Sequence, residues 1–560
     1  MSRQRRKRWQ PWLWLGAAIL FFGAVTFACS LVPGFVREQQ RRSEPVLLQV
    51  AYSPEKEVLF TALVRDFQAS RPRLHDGRPI RIEITAAEPD VMIEAAAAGK
   101  YQAINPDSSI WLAQLDAARQ GSSEQPASLG QRNSLVGEVT RYAVSPVVIA
   151  MWEDAARSIG YPARQLGWSD LLSKARSDAS FKWSHPSTSS ASGLLATLAE
   201  FYAGAGKTRG LTKEDALAQS TLDYVGALEK TVRHYGEGEW ALIQQMLQAG
   251  PSYLDAVVVQ EQLVIYFNGQ GKGRLVAIYP AEGTLWEDHP LALLEHPDLT
   301  TEQRLAYAAF REYLLSPAAQ RRVLQAGYRP VDLNISLDDP ASPIKAANGA
   351  DPLQPKTVLQ IPSASVMQVV REVWWYTKRH TNVYLVADTS GSMAGAKLAD
   401  AQQAMQVFLG QIRGDLERVG LIGFGSSVYE VVPLGELKSN RDRISQGISG
   451  LRASGNTALI DAVDLAYRRL QALNDRERIN AIVVMTDGME NNSRLSLADL
   501  TARIQRGNEQ GPPIVVFCIA YGQDADMKTL ERIAAAAKGQ ARKGDLETIR
   551  QLYKMLSAYF

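Results

Sequence analysis

Five oxygen-bearing side chains in the C-terminal third of the chain have types and spacing that suit a divalent cation. They are Asp388, Ser390, Ser392, Thr457 and Asp487. Asp388, Ser390 and Ser392 follow the apolar run 383–387, and Asp487 follows the apolar run 481–485. Thr457 lies at the opening of a helical stretch between these two runs. Ligands of parallel sheets bind where strands end at their carboxyl ends. We therefore expect the five side chains to meet at one edge of a sheet.

The expected chemistry is capture of an acidic group rather than catalysis. Mg²⁺ requires near-octahedral oxygen ligands and gives up water reluctantly, so a protein site supplies some ligands and leaves other positions open. Hydroxyls bind as neutral ligands, whereas Asp388 and Asp487 bring negative charge. An open position then suits an Asp or Glu carboxylate of a partner protein. Mg²⁺ is the expected ion, with Mn²⁺ or Ca²⁺ as alternatives.

A simpler interpretation is that these residues only cap helices. Asp388 and Ser390 would cap one helix and Thr457 the next. That interpretation does not explain why all three segments place oxygens at the same sheet edge. Asp461 lies one turn after Thr457. It either orients the Thr457 loop without binding the ion itself or is an ordinary helix residue.

Residues 381–560 alternate apolar runs with helical patterns, which predicts a doubly wound α/β sheet. Near-continuous apolar runs are typical of strands buried on both faces; they are 383–387, 419–424, 481–485 and 513–520. Apolar spacings of three and four predict the intervening helices; they are 397–412, 458–473 and 497–505.

At these residues the chain resembles a von Willebrand factor type A (VWA) domain. The five positions match that family's metal-ion-dependent adhesion site, and the resemblance implies a Rossmann-like fold with Mg²⁺-dependent protein adhesion. The Asp-x-Ser-x-Ser pattern is weak alone and gains weight from Thr457 and from Thr486-Asp487-Gly488 in the expected order. Asn456 stands where many relatives have a second glycine, but Gly455 can supply a positive φ.

Residues 46–330 also alternate strands and helices, and they resemble the type II extracellular solute-binding proteins of transport systems. We predict strands at 47–52 and 80–85, with a helix beginning at Ser53. The segments that carry the resemblance are 50–54, 105–111, 142–150, 279–284, 315–320 and 327–330. The resemblance implies a two-lobed, periplasmic-binding-protein-like domain that closes by a hinge around a small solute.

By that resemblance a set of hydroxyl residues faces the cleft between the lobes. They are Ser53, Ser108, Ser109, Ser187, Thr188 and Ser189. Hydroxyls and backbone N–H groups at helix starts can bind an oxyanion. Serine-rich loops also occur without any ligand, so loss of solute binding and a spacer or recognition role stay open.

The N-terminus predicts a single-pass membrane anchor. Five cations in residues 1–10 precede an uncharged run from Trp12 to Val36, and about 20 apolar residues span a bilayer. The excess of cations keeps the tail cytoplasmic, so residues 11–36 form a transmembrane helix or signal anchor and both domains lie outside the cytoplasm. A cleaved signal peptide, with an apolar region of about 7–15 residues, and lipidation at Cys29 are the alternatives.

The net charge and the remaining sequence motifs argue against several kinds of function. A net charge of +2 over 560 residues gives no case for nucleic acid. The segment 204–208 resembles the end of a phosphate-binding loop, but a helical pattern precedes it where a nucleotide loop needs a strand, so no nucleotide is expected. Neither a Ser-His-Asp arrangement nor HExxH occurs, and we expect no enzyme.

The predicted layout is therefore a solute-binding-like domain at 45–335, a linker and connecting helix at 336–380 carrying Trp374 and Trp375, and a VWA domain at 381–560. The favoured function is adhesion to a protein partner at the cell membrane. The alternative is the substrate-binding component of a transport system, in which the VWA domain serves only for docking.

Overall fold

The computed structural model describes residues 44–121, 134–236, 238–412, 414–521 and 525–544. The predicted basic tail (1–10), the predicted membrane span (11–36) and Cys29 lie outside these residues. Over the described part of the chain, no helix combines the length and the apolar character needed to cross a bilayer.

The first domain is built from short strands and helices in alternation. Its strands are β1 (Val46–Tyr52), β2 (Ile80–Ala86), β3 (Ala103–Asn105), β4 (Val136–Arg141), β5 (Ala143–Trp152), β6 (Trp183–Pro186), β7 (Val232–Gly236), β8 (Ala256–Gln260), β9 (Leu275–Ile278), β10 (Trp286–Glu287), β11 (Pro290–Leu294) and β12 (Arg329–Pro330). Its helices are α1 (Glu57–Ala69), α2 (Pro89–Ala97), α3 (Ile110–Gly121), α4 (Glu153–Ser158), α5 (Trp168–Ser177), α6 (Ala191–Ala205), α7 (Lys213–Leu217), α8 (Gln219–Glu229), α9 (Glu239–Ala249), α10 (Glu261–Gly269), α11 (Thr301–Leu314) and α12 (Pro317–Gln325).

These elements form two lobes, each around its own sheet. The first sheet has the order β2-β1-β3-β11-β4, and the second has the order β10-β5-β8-β6-β7 with β9 and β12 paired to β5. The chain passes between the sheets from β4 to β5 and returns from β10 to β11. The family resemblance implied a two-lobed domain, and the structure has two lobes.

The predicted first strands and helix are present, with one difference at the helix start. Strand β1 pairs in parallel with β2, and its alternate residues Leu48 and Val50 are buried in the core of the first lobe. A turn of 3₁₀ helix, Pro54–Lys56, precedes α1. The Ser53 side chain does not cap this turn; its hydroxyl donates to the Asn105 carbonyl oxygen at 3.4 Å.

The linker packs along the second lobe before it reaches helix α13 (Ala364–Thr377). Its backbone bonds to the lobe, since Ala277 N–H donates to the Gly349 carbonyl at 2.7 Å and Leu359 N–H donates to Thr284 at 2.8 Å. Trp374 on α13 is buried, and its ring lies 5.2 Å from that of Tyr235. Trp374 therefore packs the connecting helix into the core of the second lobe.

The second domain is a six-stranded sheet with helices on both faces. Its strands are β13 (Thr381–Asp388), β14 (Arg418–Phe424), β15 (Val428–Glu436), β16 (Ile479–Thr486), β17 (Ile514–Tyr521) and β18 (Ala541–Gly544). Its helices are α14 (Ala396–Gln411), α15 (Leu437–Gly450), α16 (Leu459–Leu473), α17 (Leu497–Gln510) and α18 (Met527–Ala536). The sheet order is β15-β14-β13-β16-β17-β18. Strand β15 is antiparallel to β14, and the other pairings are parallel.

Both faces of this sheet are buried, as its near-continuous apolar strands predicted. Leu385 of β13 packs in a core with Phe408 and Ile444 of α14 and α15. The neighbouring Val386 points to the opposite core, with Tyr467 of α16. Successive side chains of a strand alternate between faces, so a strand covered on both sides must be apolar throughout.

Candidate functional site

Two adjacent parallel strands place the two predicted aspartates at one edge of the sheet. In the register of β13 and β16, Ala387 pairs with Met485. Asp388 and the Thr486-Asp487 pair therefore leave the sheet side by side. The Thr486 hydroxyl donates to Asp388 Oδ2 at 2.5 Å, which ties the two strand ends together.

Hydrogen bonds join four of the five predicted residues in sequence. Asp388 Oδ1 accepts the Ser390 N–H at 2.7 Å. The hydroxyl oxygens of Ser390 and Ser392 are 3.0 Å apart. The Ser392 hydroxyl in turn donates to Asp487 Oδ1 at 2.7 Å. The structure thus brings these four side chains together.

The fifth residue, Thr457, lies beside the same cluster. A Cβ atom built on Gly488 would lie 3.4 Å from Thr457 Oγ1 and 3.5 Å from Ser392 Oγ, so both hydroxyls face Gly488. The Thr457 loop is held close because Gly391 N–H donates to the Gly455 carbonyl at 2.9 Å. Gly455 has a φ of +80°, the positive value that the sequence analysis anticipated at this position.

The cluster is buried at its base and open at one side. Asp388, Thr457 and Asp487 are buried, whereas Ser392 is exposed. Burial raises the pKa of Asp388. Lys397, on the first turn of α14, forms an ion pair with Asp487 Oδ2. Sequence reasoning missed Lys397, because it lies outside the recognised motif.

Residues after β16 support the Thr457 loop. The Asn491 side-chain oxygen accepts the Thr457 N–H at 2.9 Å. Asp461 accepts the N–H groups of Arg494 and Leu495 at 2.9 and 3.0 Å. Asp461 therefore holds the segment that follows Asn491, and Asn491 contacts the Thr457 loop directly. No sequence pattern pointed to Asn491.

The assembled donors are carboxylate and hydroxyl oxygens, which are the ligands that Mg²⁺ and Ca²⁺ prefer. Asp388, Ser390, Ser392, Thr457 and Asp487 are the residues that would hold such an ion. When bound, the ion would supply a positive centre that accepts an anionic oxygen from outside the protein. The exposed side at Ser392 is where that oxygen can approach.

Most of the hydroxyl residues predicted for the solute cleft are hydrogen-bonded within the protein. The Ser187 and Ser189 hydroxyl oxygens are 3.0 Å apart. Ser108 Oγ accepts the Ile110 N–H at 3.4 Å, and the Ser109 hydroxyl donates to Asp288 at 2.5 Å. Thr188 and Ser53 are buried.

A carboxylate of the first lobe occupies the helix start where an oxyanion was expected. Asp107 Oδ2 accepts the N–H of Ala191, the first residue of α6, at 3.2 Å. Its other oxygen accepts the Ser108 N–H at 2.9 Å. The positive end of α6 is thus already paired with a negative group of the protein.

The cleft is rich in buried carboxyl groups, which sequence reasoning missed. They are Glu55, Asp107, Glu239 and Glu287, and Lys56 is the buried cation among them. Burial raises the pKa of Glu55 to about 8 and that of Asp107 to about 6. Among the described residues, neither carboxylate oxygen of Glu287 and neither ring nitrogen of His289 has a hydrogen-bond partner.

Comparison with known proteins agrees with this architecture. A family model described as bacterial extracellular solute-binding protein matches residues 48–329, just over half of the chain, and one described as von Willebrand factor type A domain matches residues 382–554. The inter-alpha-trypsin inhibitor heavy chain H4 of Sus scrofa is 25% identical over 177 residues, which are 31% of this chain and 19% of that protein. The chain thus spans about a fifth of the length of this curated relative.

Solved structures resemble each half separately. The sulfate-binding protein SubI from Mycobacterium tuberculosis has 21% identity and a TM-score of 0.37, covering 52% of this chain and 88% of that chain. A von Willebrand factor type A protein from Catenulispora acidiphila has 22% identity and a TM-score of 0.28, covering 32% of this chain and 43% of that chain.

Proposed function

Because the chain belongs to the bacterial extracellular solute-binding protein family and carries a VWA domain after that module, we propose that it is a membrane-anchored adhesion protein. In this proposal the VWA domain binds Mg²⁺ and captures an Asp or Glu carboxylate of a protein partner outside the cytoplasm. The solute-binding module lies between the anchor and the VWA domain.

One observation carries the adhesion proposal: five oxygen-bearing side chains converge from three loops at one sheet edge. Asp388 and Asp487 are buried, so a doubly charged cation between them would offset two carboxylates that are poorly solvated. The hydroxyls add neutral ligands without further charge. The ion would keep an accessible side near Ser392, which suits an acidic side chain from a partner.

The direct test measures Mg²⁺ binding by calorimetry and then partner retention on the full-length chain. We expect proteins that are retained with Mg²⁺ to be released by EDTA and to be absent with Asp388→Ala. Asp442→Ala, a change of an exposed residue on α15, is the matched control and should retain them. Retention that survives both EDTA and Asp388→Ala would reject the adhesion mechanism.

The anchoring part of the proposal is supported by the basic residues and the uncharged run at the N-terminus. We expect the protein in the membrane fraction, resistant to alkaline extraction and released by detergent. Removal of residues 1–36 should move it to the soluble fraction. A full-length protein that alkali extracts would contradict the anchor.

The second candidate function is delivery of a solute to a transporter, and the cleft favours a positively charged solute. Four buried carboxyl groups face one buried lysine, and Asp107 occupies the helix start that would otherwise attract an anion. A cationic solute would stabilise the ionised carboxylates, whereas an oxyanion would be repelled. The unpartnered Glu287 carboxylate is the group we expect to contact it.

Thermal-shift measurements with spermidine and with sulfate would distinguish these solutes. We expect stabilisation by a cation and none by sulfate, with Glu287→Gln weakening the response. Because a cation can also bind the carboxylates of the VWA site, the measurements use the Asp388→Ala chain. Stabilisation by sulfate alone would overturn the charge argument, and reproducible stabilisation by one organic cation would favour transport.

A further inference from the structure

A buried group of titratable side chains lies in the second lobe, apart from both sites described above. His185 is on β6, Glu200 is on α6, and Glu229 is the last residue of α8. All three are fully buried. One potential ligand atom of each lies within 4.8 Å of the others. An imidazole nitrogen and two carboxylate oxygens are donors that bind transition metals in proteins.

The groups behind this cluster orient its donor atoms. His185 Nδ1 lies 2.7 Å from the Pro186 carbonyl oxygen, so a proton on Nδ1 leaves Nε2 free to bind, 3.4 Å from Glu229 Oε2. Glu229 Oε2 accepts the Tyr235 hydroxyl at 2.7 Å. Its Oε1 accepts the Trp374 indole N–H at 2.6 Å. Histidines and carboxylates that bind metals are commonly oriented by such outer hydrogen bonds.

Glu200 is the member of the cluster whose surroundings point to a cation. Both of its carboxylate oxygens are buried, and neither has a hydrogen-bond partner among the residues that the structure describes. An unpartnered carboxyl group in the interior is costly. A divalent cation would offset the charge of both glutamates and give Glu200 a partner.

We propose that His185, Glu200 and Glu229 bind one divalent transition-metal ion of the Zn²⁺ or Mn²⁺ class. Such ions bind nitrogen and oxygen at about 2.0–2.2 Å, which places their donors about 3.0–3.5 Å apart. Closing the present spacing takes side-chain movements of about 1 Å. The imidazole donor disfavours Mg²⁺, so this site differs in chemistry from the oxygen-only cluster of the VWA domain.

The ion would strengthen the joint between the two domains. Helix α13 packs on α6 and α8, and it leads directly into β13 of the VWA domain. Glu229 would bind the ion through one oxygen while its other oxygen holds Trp374 of α13. Occupancy of the site therefore fixes the connecting helix against the second lobe.

Metal analysis of the full-length chain, purified in detergent from cells grown with added ZnCl₂ or MnCl₂, tests the proposal. The Asp388→Ala chain removes a ligand of the VWA site and leaves the buried cluster intact. We expect it to retain about one equivalent of Zn or Mn after gel filtration with EDTA, because a closed site exchanges its ion slowly. This result does not depend on whether the VWA domain binds a partner.

Variants of the cluster then assign the ion to these residues. Glu200→Gln should lower the retained metal at least about tenfold, and Trp374→Phe, which removes the outer hydrogen bond together with part of a buried ring, should weaken binding about 10- to 100-fold. Asp223→Asn, an exposed change on α8, is the control and should retain the metal.

Two results would overturn the proposal. One is an Asp388→Ala chain that holds no transition metal and whose unfolding temperature does not respond to Zn²⁺ or Mn²⁺ present during refolding. A proton shared between Glu200 and Glu229 would then be the partner of both. The other is metal retained equally by wild type and Glu200→Gln. The first measurement needs no change in the cluster, so a variant that fails to fold does not affect it.

Discussion

Removing Lys397 should tighten Mg²⁺ binding at the VWA domain. The Lys397 ammonium group pairs with Asp487 Oδ2, so a metal ion that uses Asp487 must displace it. The Lys397 side chain is 36% exposed, whereas that of Asp487 is fully buried. Partly exposed ion pairs contribute about 0.2–1 kcal/mol. We therefore expect Lys397→Ala to lower the Mg²⁺ Kd roughly 1.4- to 5-fold, at about 1.4 kcal/mol per tenfold.

Calorimetric Mg²⁺ titration of the full-length chain at fixed low ionic strength measures this change, because salt screens the pair. Lys438→Ala is the matched control, since Lys438 is an exposed lysine at the start of α15. Without Mg²⁺, Lys397→Ala should unfold about 2–4 °C earlier for a loss near 1 kcal/mol, and saturating Mg²⁺ should remove the difference. A Kd that equals the Lys438→Ala value or rises above it would refute the competition between Lys397 and the metal.

Three further changes test other parts of the structure. Lys378→Met should destabilise the protein by about 3–5 kcal/mol in denaturant melts, because it leaves Glu417 buried and charged beside the lost ammonium group, 2.9 Å away. Burial alone would raise the pKa of Glu417, but Lys378 and the neighbouring donors hold that pKa at about 2. The ionised Glu417 therefore contributes its full stabilisation above about pH 4.3, and this stabilisation should be lost as the pH falls toward 2. The Glu417→Gln protein should not show that loss. Gly455→Ala places a Cβ atom on a residue with a φ of +80° and within 2.3 Å of Ser426 Oγ. We expect it to lower the free energy of unfolding by about 1–2 kcal/mol and to weaken Mg²⁺ binding in calorimetry. An unchanged free energy of unfolding and an unchanged Mg²⁺ Kd would contradict the loop geometry. Burial raises the pKa of Cys518 to about 12, so in a Cys29→Ser chain a thiol reagent should label Cys518 only on unfolding, and fast labelling of the native protein would contradict its burial.

The oxygen cluster of the VWA domain was predictable because its geometry follows from local patterns. The runs at 383–387 and 481–485 are apolar on both faces, which requires central strands, and polar residues follow each run directly. Parallel neighbours in a sheet end at the same edge, so Asp388 and Asp487 had to approach each other once both strands were recognised. Strand β15 was missed because it lies at the sheet edge, is mostly half-buried and has no continuous apolar run.

The cleft was only partly predictable. The family resemblance predicted that its hydroxyl residues lie on loops that face the cleft. The opposing charges could not, because Glu55, Asp107, Glu239 and Glu287 lie in four separate segments that carry no shared pattern. Their proximity exists only after the two lobes close on each other, as the bond from Ala191 N–H to Asp107 illustrates across 84 positions of sequence.

The sequence by itself determined the two α/β domains, their order and the five oxygens of the VWA cluster, because strand periodicity and the residues at strand ends are local properties. Tertiary structure alone decided that Lys397 pairs with Asp487, that Asp107 caps α6, and that Glu200 is buried beside Glu229 and His185. Those contacts join residues distant in the chain, and the energetics of a buried charge depend on its surroundings rather than on its sequence neighbours.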